Sequence, residues 1–245
     1  MKRTTRRQGD VVDTLAAWIM GGRFAAGAGF PTEPELCAEL GISRTVVREA
    51  VKTLVAKGLL TTGPRVGTRV RAAEVWNQFD ADVIGWKLKA GVSADYVREI
   101  VDLRLLLEPG AAGRAALRRD QADLADLDRA LSGMAAAVRD DATGGVAYLE
   151  SDLAFHESIL RATHNPLLVG MVPVVDAVLR VSFIHSVKSR ESARSSLPLH
   201  EAVRDAIRDG DADLAQARLR QLIDAAGDDI ASDLATDDFL KEARP

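Results

Sequence analysis

The chain holds a single cysteine, Cys37, among 245 residues. One thiol excludes an internal disulfide framework and fits a reducing, cytoplasmic setting. Aromatic residues make up only 4% of the chain, beside an ordinary apolar content of 47%. No uninterrupted apolar run reaches the length needed to cross a bilayer, so a membrane partner is not expected. The opening "MKRTTRRQGD" is basic but has no apolar stretch behind it, which argues against a secretory signal. Histidine is sparse as well: His156, His164, His185 and His200 are the four in the chain.

What is abundant is Ala, Leu, Arg, Asp and Val, a mixture that favours helix over sheet. The length allows one large domain or two modest ones. The net charge of −4 is unevenly spread: residues 1–75 carry 12 Lys/Arg against 7 Asp/Glu, so the remainder is strongly acidic. A basic N-terminal unit on an acidic body points to a polyanionic partner for the first part alone.

In that first part, "VVDTLAAWIMGGRF" places Val11, Leu15, Trp18 and Ile19 on one helical stripe, ended by Gly21 and Gly22. The following "FPTEPELCAELG" supplies Thr32 as N-cap, Pro34 in the first turn and Glu35 at the capping-box position. Leu36 and Leu40 share a face, and Gly41 closes the helix. A third helix restarts at Ser43 with Val46, Val47, Ala50, Leu54 and Val55 as its inner stripe. Two short helices around a tight glycine turn make a helix-turn-helix. Arg44, Thr45 and Arg48 lie in the first turns of the second one, away from the stripe, where base edges and phosphates are read. "LLTTGPRVGTRVRA" reads as two short strands around a turn, a wing that brings Arg65 and the backbone at Gly67 toward DNA.

"FPTEPELCAELGISRTVVREAVKTLVAKGLL…GTRV" resembles the winged-helix domain of GntR-family bacterial regulators. The resemblance implies operator contacts from Arg44, Thr45 and Arg48, with Gly67 at the wing. One position departs from the pattern: Pro34 stands where many members carry an arginine, so one expected DNA contact is missing.

The next segment, "AAEVWNQFDADVIGWKLKAG", holds Trp76, Phe79, Val83 and Trp86 and is too apolar for a free linker. It resembles a signature of GntR members that control galactonate and related sugar-acid catabolism. Helical stripes then follow at 94–118, 121–139, 144–162, 166–187, 198–209 and 212–233, with no alternating strand. Breaks are expected at Asp120, Gly144-Gly145, His164-Asn165-Pro166, Ser195-Ser196 and Gly210-Asp211. The expected organisation is mostly α: a winged helix-turn-helix domain at 1–73, a docking segment at 74–93, an all-helical bundle of about six helices at 94–235 and a tail at 236–245. "VDLRLLLEPGAAGRAA", "DLAFHESILRATHNPLL" and "LHEAVRDAIRDGDADLAQA" resemble, in order, the effector-binding and dimerisation domain of the FCD (fatty-acid-regulator) branch.

Within "SDLAFHESIL", Asp152 and His156 are four residues apart and project from one helix face. Carboxylate plus imidazole suits a divalent cation such as zinc, though a histidine on a helix is more often a hydrogen-bonded structural residue. His200 precedes the Gly210-Asp211 turn by ten residues and Leu222 follows Gly210 by twelve, so antiparallel packing brings the two level. The resemblance implies four metal ligands, and Asp152, His156 and His200 match three of them. Leu222 stands at the fourth position and cannot coordinate. Asp224 is about 200° further round the helix and cannot replace it. Arg104 is read either as a surface or Glu108-paired arginine, or, as the resemblance implies, as an inward guanidinium gripping an effector carboxylate. His164 and Asn165 are expected to cap the helix at Pro166, and His185 has no assigned role.

Three function classes remain. The first is a dimeric transcriptional repressor on a palindromic operator, released by a small carboxylate such as galactonate or a related aldonate. The second is a metal-dependent hydrolase built on Asp152, His156 and His200, which lacks a general base and leaves the winged helix unexplained. The third is a DNA-binding protein with no effector.

Overall fold

In a computed structural model, residues 8–91, 93–139, 144–186 and 190–242 are described, without the side chains of 8, 144, 184–186, 190–191 and 231–242. His185 is therefore outside the described side chains. Eleven α-helices and one two-stranded sheet account for most of the described residues, and the chain divides into units at 1–92 and 93–245.

In the first unit, α1 (Gln8–Met20) buries Val11, Val12, Leu15, Ala16 and Ile19, and the left-handed Gly22 turns the chain away. Helix α2 (Glu33–Leu40) starts at Thr32, whose N–H and hydroxyl both donate to the Glu35 carboxylate, at 2.7 and 2.8 Å. Gly41, at φ 66°, ends it and aims α3 (Arg44–Ala56). Val47, Ala50 and Leu54 of α3 are buried, with Val46 and Val55 half-buried beside them. Strands β1 (Leu60–Gly63) and β2 (Gly67–Val70) pair antiparallel, Leu60 opposite Val70 and Gly63 opposite Gly67. A backbone stretch at 27–30 adds itself to the outer side of β2 through Phe30–Thr68 and Gly27–Val70 hydrogen bonds, a pairing that its Gly-Ala-Gly sequence did not announce.

The segment after β2 is fixed to this unit. Helix α4 (Ala81–Ala90) is capped by Asp80, and the Lys57 ammonium holds both Asp80 oxygens at 2.7–2.8 Å. Trp86 is buried and donates its indole N–H to Asp13 on α1 at 2.7 Å. Gly58 permits the close approach, because a Cβ there would lie 3.2–3.3 Å from the backbone of 75–77.

The second unit is helical throughout its described residues: α5 (Ala94–Arg118), α6 (Gln121–Arg139), α7 (Gly144–Ala162), α8 (Pro166–Val169), α9 (Val172–Ser186), α10 (Arg190–Asp209) and α11 (Ala212–Glu242). Its core is rich in Ala, Leu, Val and Ile; α5 lies along α11 and α6 along α7. Small residues set the spacing: a Cβ on Gly133 would sit 2.5 Å from the Ser151 hydroxyl.

Three expected boundaries shift. The stripe at 166–187 is two helices, because Gly170 interrupts it and Pro173 suits the first turn of α9. The break at Ser195-Ser196 does not occur; α10 runs through it and through Pro198, since both serines turn their hydroxyls back onto the helix. Helix α11 continues to Glu242, through most of the expected tail.

Candidate effector pocket and nucleic-acid interface

Five helices of the second unit converge on one pocket of about 350 Å³, its open mouth included. Helix α5 contributes Arg104, α7 contributes Tyr148, Asp152 and His156, and α10 contributes Ser196 and His200. Leu179, Ser182 and Phe183 of α9 and Leu222 and Ala226 of α11 complete the lining. The four-residue spacing of Tyr148, Asp152 and His156 puts all three on the inner face of α7.

His156, at 3% exposure, is buried between two carboxylates. Its Nδ1 lies 2.6 Å from Glu108 Oε2, close enough for an ion pair though not aligned as a hydrogen bond. Its Nε2 faces Asp152 Oδ1 at 3.8 Å. His200 directs Nε2 to the same Asp152 oxygen at 2.8 Å, while its Nδ1 lies 2.9 Å from the Ser196 carbonyl. A carbonyl only accepts, so Nδ1 of His200 carries the hydrogen. Its Nε2, beside a carboxylate, then needs a proton or a cation between the two lone pairs.

The donor set fits a divalent metal on this observation. One ligating atom each of Asp152, His156 and His200 lies within 4.8 Å of the others. Both imidazoles present Nε2 to this point and have Nδ1 engaged behind it, by Glu108 and by the Ser196 carbonyl. Outer contacts of this kind orient ligating histidines and raise their basicity.

Arg104 is both inward and paired. It is 5% exposed, lines the pocket, and its Nε donates to Glu108 Oε1 at 2.7 Å. The two sequence alternatives thus coincide, and the Nη groups form the part of the guanidinium able to reach a carboxylate. Burial opposes ionisation of Glu108, but the Arg104 and His156 charges outweigh it and hold the pKa at about 2. Burial likewise opposes the Asp152 charge, and His200, His156 and Arg104 together hold its carboxyl below the usual range. The phenol of Tyr148 is pushed up by burial and by Asp152, so it stays a neutral O–H donor.

Sequence reading missed Glu108 as the link between Arg104 and His156, although its i+4 spacing from Arg104 was visible. Tyr148 was missed too; its position one turn before Asp152 was the available signal. Leu222 is buried on the pocket wall, whereas Asp224 is exposed. Asn165 caps α8 by accepting from the Leu167 N–H at 3.0 Å, but His164 does not cap. It adopts a left-handed backbone, φ 48°, which turns its ring onto Asp123 at 2.8 Å.

In the first unit, Arg44, Thr45 and Arg48 are exposed on α3, and Arg65 is exposed at the wing tip with φ 67°. Gly67, at φ 74°, opens β2 directly after it. Arg44 is already engaged: its Nε donates to Glu33 of α2 at 2.9 Å.

Residues 7–70 match the model of the gntR family of bacterial regulatory proteins, and residues 99–225 match the FCD domain. The chain belongs to the GntR family and carries an FCD domain.

A GntR regulator of this kind binds DNA through its N-terminal unit and a small-molecule effector through its helical one; it is a transcriptional regulator, and the hydrolase alternative falls away. The galactonate operon transcriptional repressor of Escherichia coli K12 is 32% identical over 214 residues, 87% of this chain and 92% of that protein. The HTH-type transcriptional regulator LutR of Bacillus subtilis is 27% identical over 82% of this chain and 90% of its own length. A solved structure of Lar, which controls expression of the Listeria monocytogenes agr system, shares the fold with a TM-score of 0.67. It is 18% identical and covers 94% of this chain and 99% of that one. Among the described residues, no helix of the GntR regulator is long and apolar enough to cross a membrane.

Proposed function

We propose that this GntR regulator is a homodimeric repressor of a sugar-acid catabolic operon, released from a palindromic operator by a small carboxylate such as galactonate. The observation that carries this reading is one buried pocket holding a guanidinium, two imidazoles and two ionised carboxylates. That set suits an anionic oxygen ligand bound with a cation. The 32% identity to a galactonate operon repressor supports the choice of effector class.

In this reading Arg104 grips the effector carboxylate, and Asp152, His156 and His200 hold a divalent metal, zinc or similar. The metal, when bound, supplies positive charge that draws carboxylate and hydroxyl oxygens together. Leu222 gives no fourth protein ligand, so positions stay open for effector or water oxygens. Glu108 keeps both Arg104 and His156 oriented without touching the ligand.

In the DNA-reading unit, Arg44, Thr45 and Arg48 contact bases and phosphates, and Arg65 with the backbone at Gly67 supplies the wing contact. A two-fold dimer sets two such units on operator half-sites. The effector then lowers DNA affinity by binding better to the arrangement that does not fit the operator.

Operator gel shifts with and without millimolar galactonate test the reading. Release by galactonate, abolished by Arg104→Ala, is expected; retention with every sugar acid tried would leave a DNA-binding protein of another effector class or none. Metal analysis of wild type and His156→Ala tests the cation, with loss of bound metal expected in the variant.

A further inference from the structure

Two hydroxyls in the pocket have no role in the contacts described so far. Tyr148 is 1% exposed and Ser182 is 2% exposed, both line the cavity, and neither hydroxyl has a hydrogen-bond partner among the described residues. A buried hydroxyl without a partner is unfavourable, and such groups are rare in folded proteins. Two of them facing one cavity make a polar wall opposite no protein acceptor or donor.

Their placement gives the wall a direction. Tyr148 stands one helical step before Asp152 and two before His156 on the same face of α7, each step about 6 Å along the axis. Ser182 faces in from α9, beside Phe183, whose ring stacks on Tyr148 at 6.2 Å and so fixes the phenol's plane. The charged groups, Arg104, His156, His200 and Asp152, therefore occupy one part of the pocket. The neutral hydroxyls extend from it along α7 and α9. A ligand that matches both parts has an anionic head and a hydroxylated chain.

We propose that Tyr148 and Ser182 read the hydroxyl groups of the effector, so that this regulator selects polyhydroxylated acids over short or deoxygenated carboxylates. The proposal rests on the reading of this pocket as an acid-binding site and narrows it. Each hydroxyl can both donate and accept, which suits a ligand O–H. A site built to pair with ligand hydroxyls penalises an analogue lacking them, because the protein groups are then left unpaired.

The test uses the full-length protein and three probes: galactonate, hexanoate of equal chain length without hydroxyls, and lactate. Binding is measured by calorimetry for wild type, Tyr148→Phe, Ser182→Ala and Arg104→Ala. Wild type is expected to prefer galactonate over hexanoate and lactate. Tyr148→Phe and Ser182→Ala should each weaken galactonate binding roughly tenfold while leaving lactate and hexanoate within about twofold. Arg104→Ala should weaken all bound acids together. Without ligand, neither hydroxyl variant should melt below wild type, since each removes an unpaired buried group. If wild type binds the acids but both hydroxyl variants bind galactonate as wild type does, or weaken all three equally, the hydroxyl-reading role is overturned and the acid pocket stands. If wild type binds none of the three, the acid-pocket reading fails and this proposal falls with it.

Discussion

Helices α3 and α7 each carry the polar residues of a functional surface, but on opposite faces. On α3 the apolar stripe of Val47, Ala50 and Leu54 turns inward and Arg44, Thr45 and Arg48 stay in water. On α7 Tyr148 and His156 turn inward among Phe155, Ile159 and Leu160. Solvated cations on α3 need no partner until phosphates arrive, so they cost the fold almost nothing. Buried charges on α7 must be compensated in the protein itself, which is the part played by Glu108 and Arg104 from α5 and His200 from α10. The comparison separates a surface that can be edited freely from a pocket whose residues stand or fall together.

Glu108→Ala should break the comparison most severely. It leaves Arg104 buried without its carboxylate and His156 without its Nδ1 partner, for an expected loss of about 3–5 kcal/mol in urea unfolding. Glu108→Gln, which keeps the volume, should cost less and weaken metal binding about 10- to 100-fold.

The pH dependence comes next. The folded pKa of Glu108 is depressed to about 2 from 4.5, and that of Asp152 is also lowered. Their contribution is complete above the unfolded carboxylate range and is lost as pH falls through the folded values. Stability should therefore be flat in this respect near neutrality and decline from about pH 4.5 toward pH 2. Urea midpoints should fall less steeply over that range in Glu108→Gln; an unchanged slope would remove Glu108 from the balance.

On α3 the expected effects are on DNA alone. Arg48→Ala should weaken operator binding by roughly 1–2 kcal/mol and reduce the salt slope by about 1 if the arginine meets a phosphate. Its melting temperature should match wild type, as surface changes stay within about 0.5 kcal/mol. The smallest change is expected for Glu33→Ala. That substitution frees Arg44 from an exposed ion pair whose arginine side chain is 76% accessible, worth under about 1 kcal/mol. A large destabilisation there would make the two helices less different than the burial pattern implies.

The DNA-reading unit was largely legible because its signals are local. Thr32 with Glu35, Gly41, Ser43 and the Gly63–Gly67 turn each specify a cap or a turn from neighbours in sequence. The edge pairing of 27–30 with β2 and the Lys57–Asp80 clamp were not, since both join residues far apart. In the body, helix periodicity located most segments, yet two serines read as a break that α10 runs through. Pro173 with Gly170 marked a real break that the long apolar stripe concealed.

For the pocket, spacing alone placed Asp152 and His156 on one face, and the turn at Gly210 brought His200 level with Leu222. Family resemblance drew these together with Arg104. Sequence by itself determined the helices, the exposed basic face of α3 and the four-residue ladders, because periodicity and capping act over one turn. Only the tertiary structure decided that Glu108 joins Arg104 to His156, that Asp152 meets His200, and that Tyr148 and Ser182 face one cavity. Those outcomes depend on how five helices pack, and the burial that makes each contact strong exists only after packing.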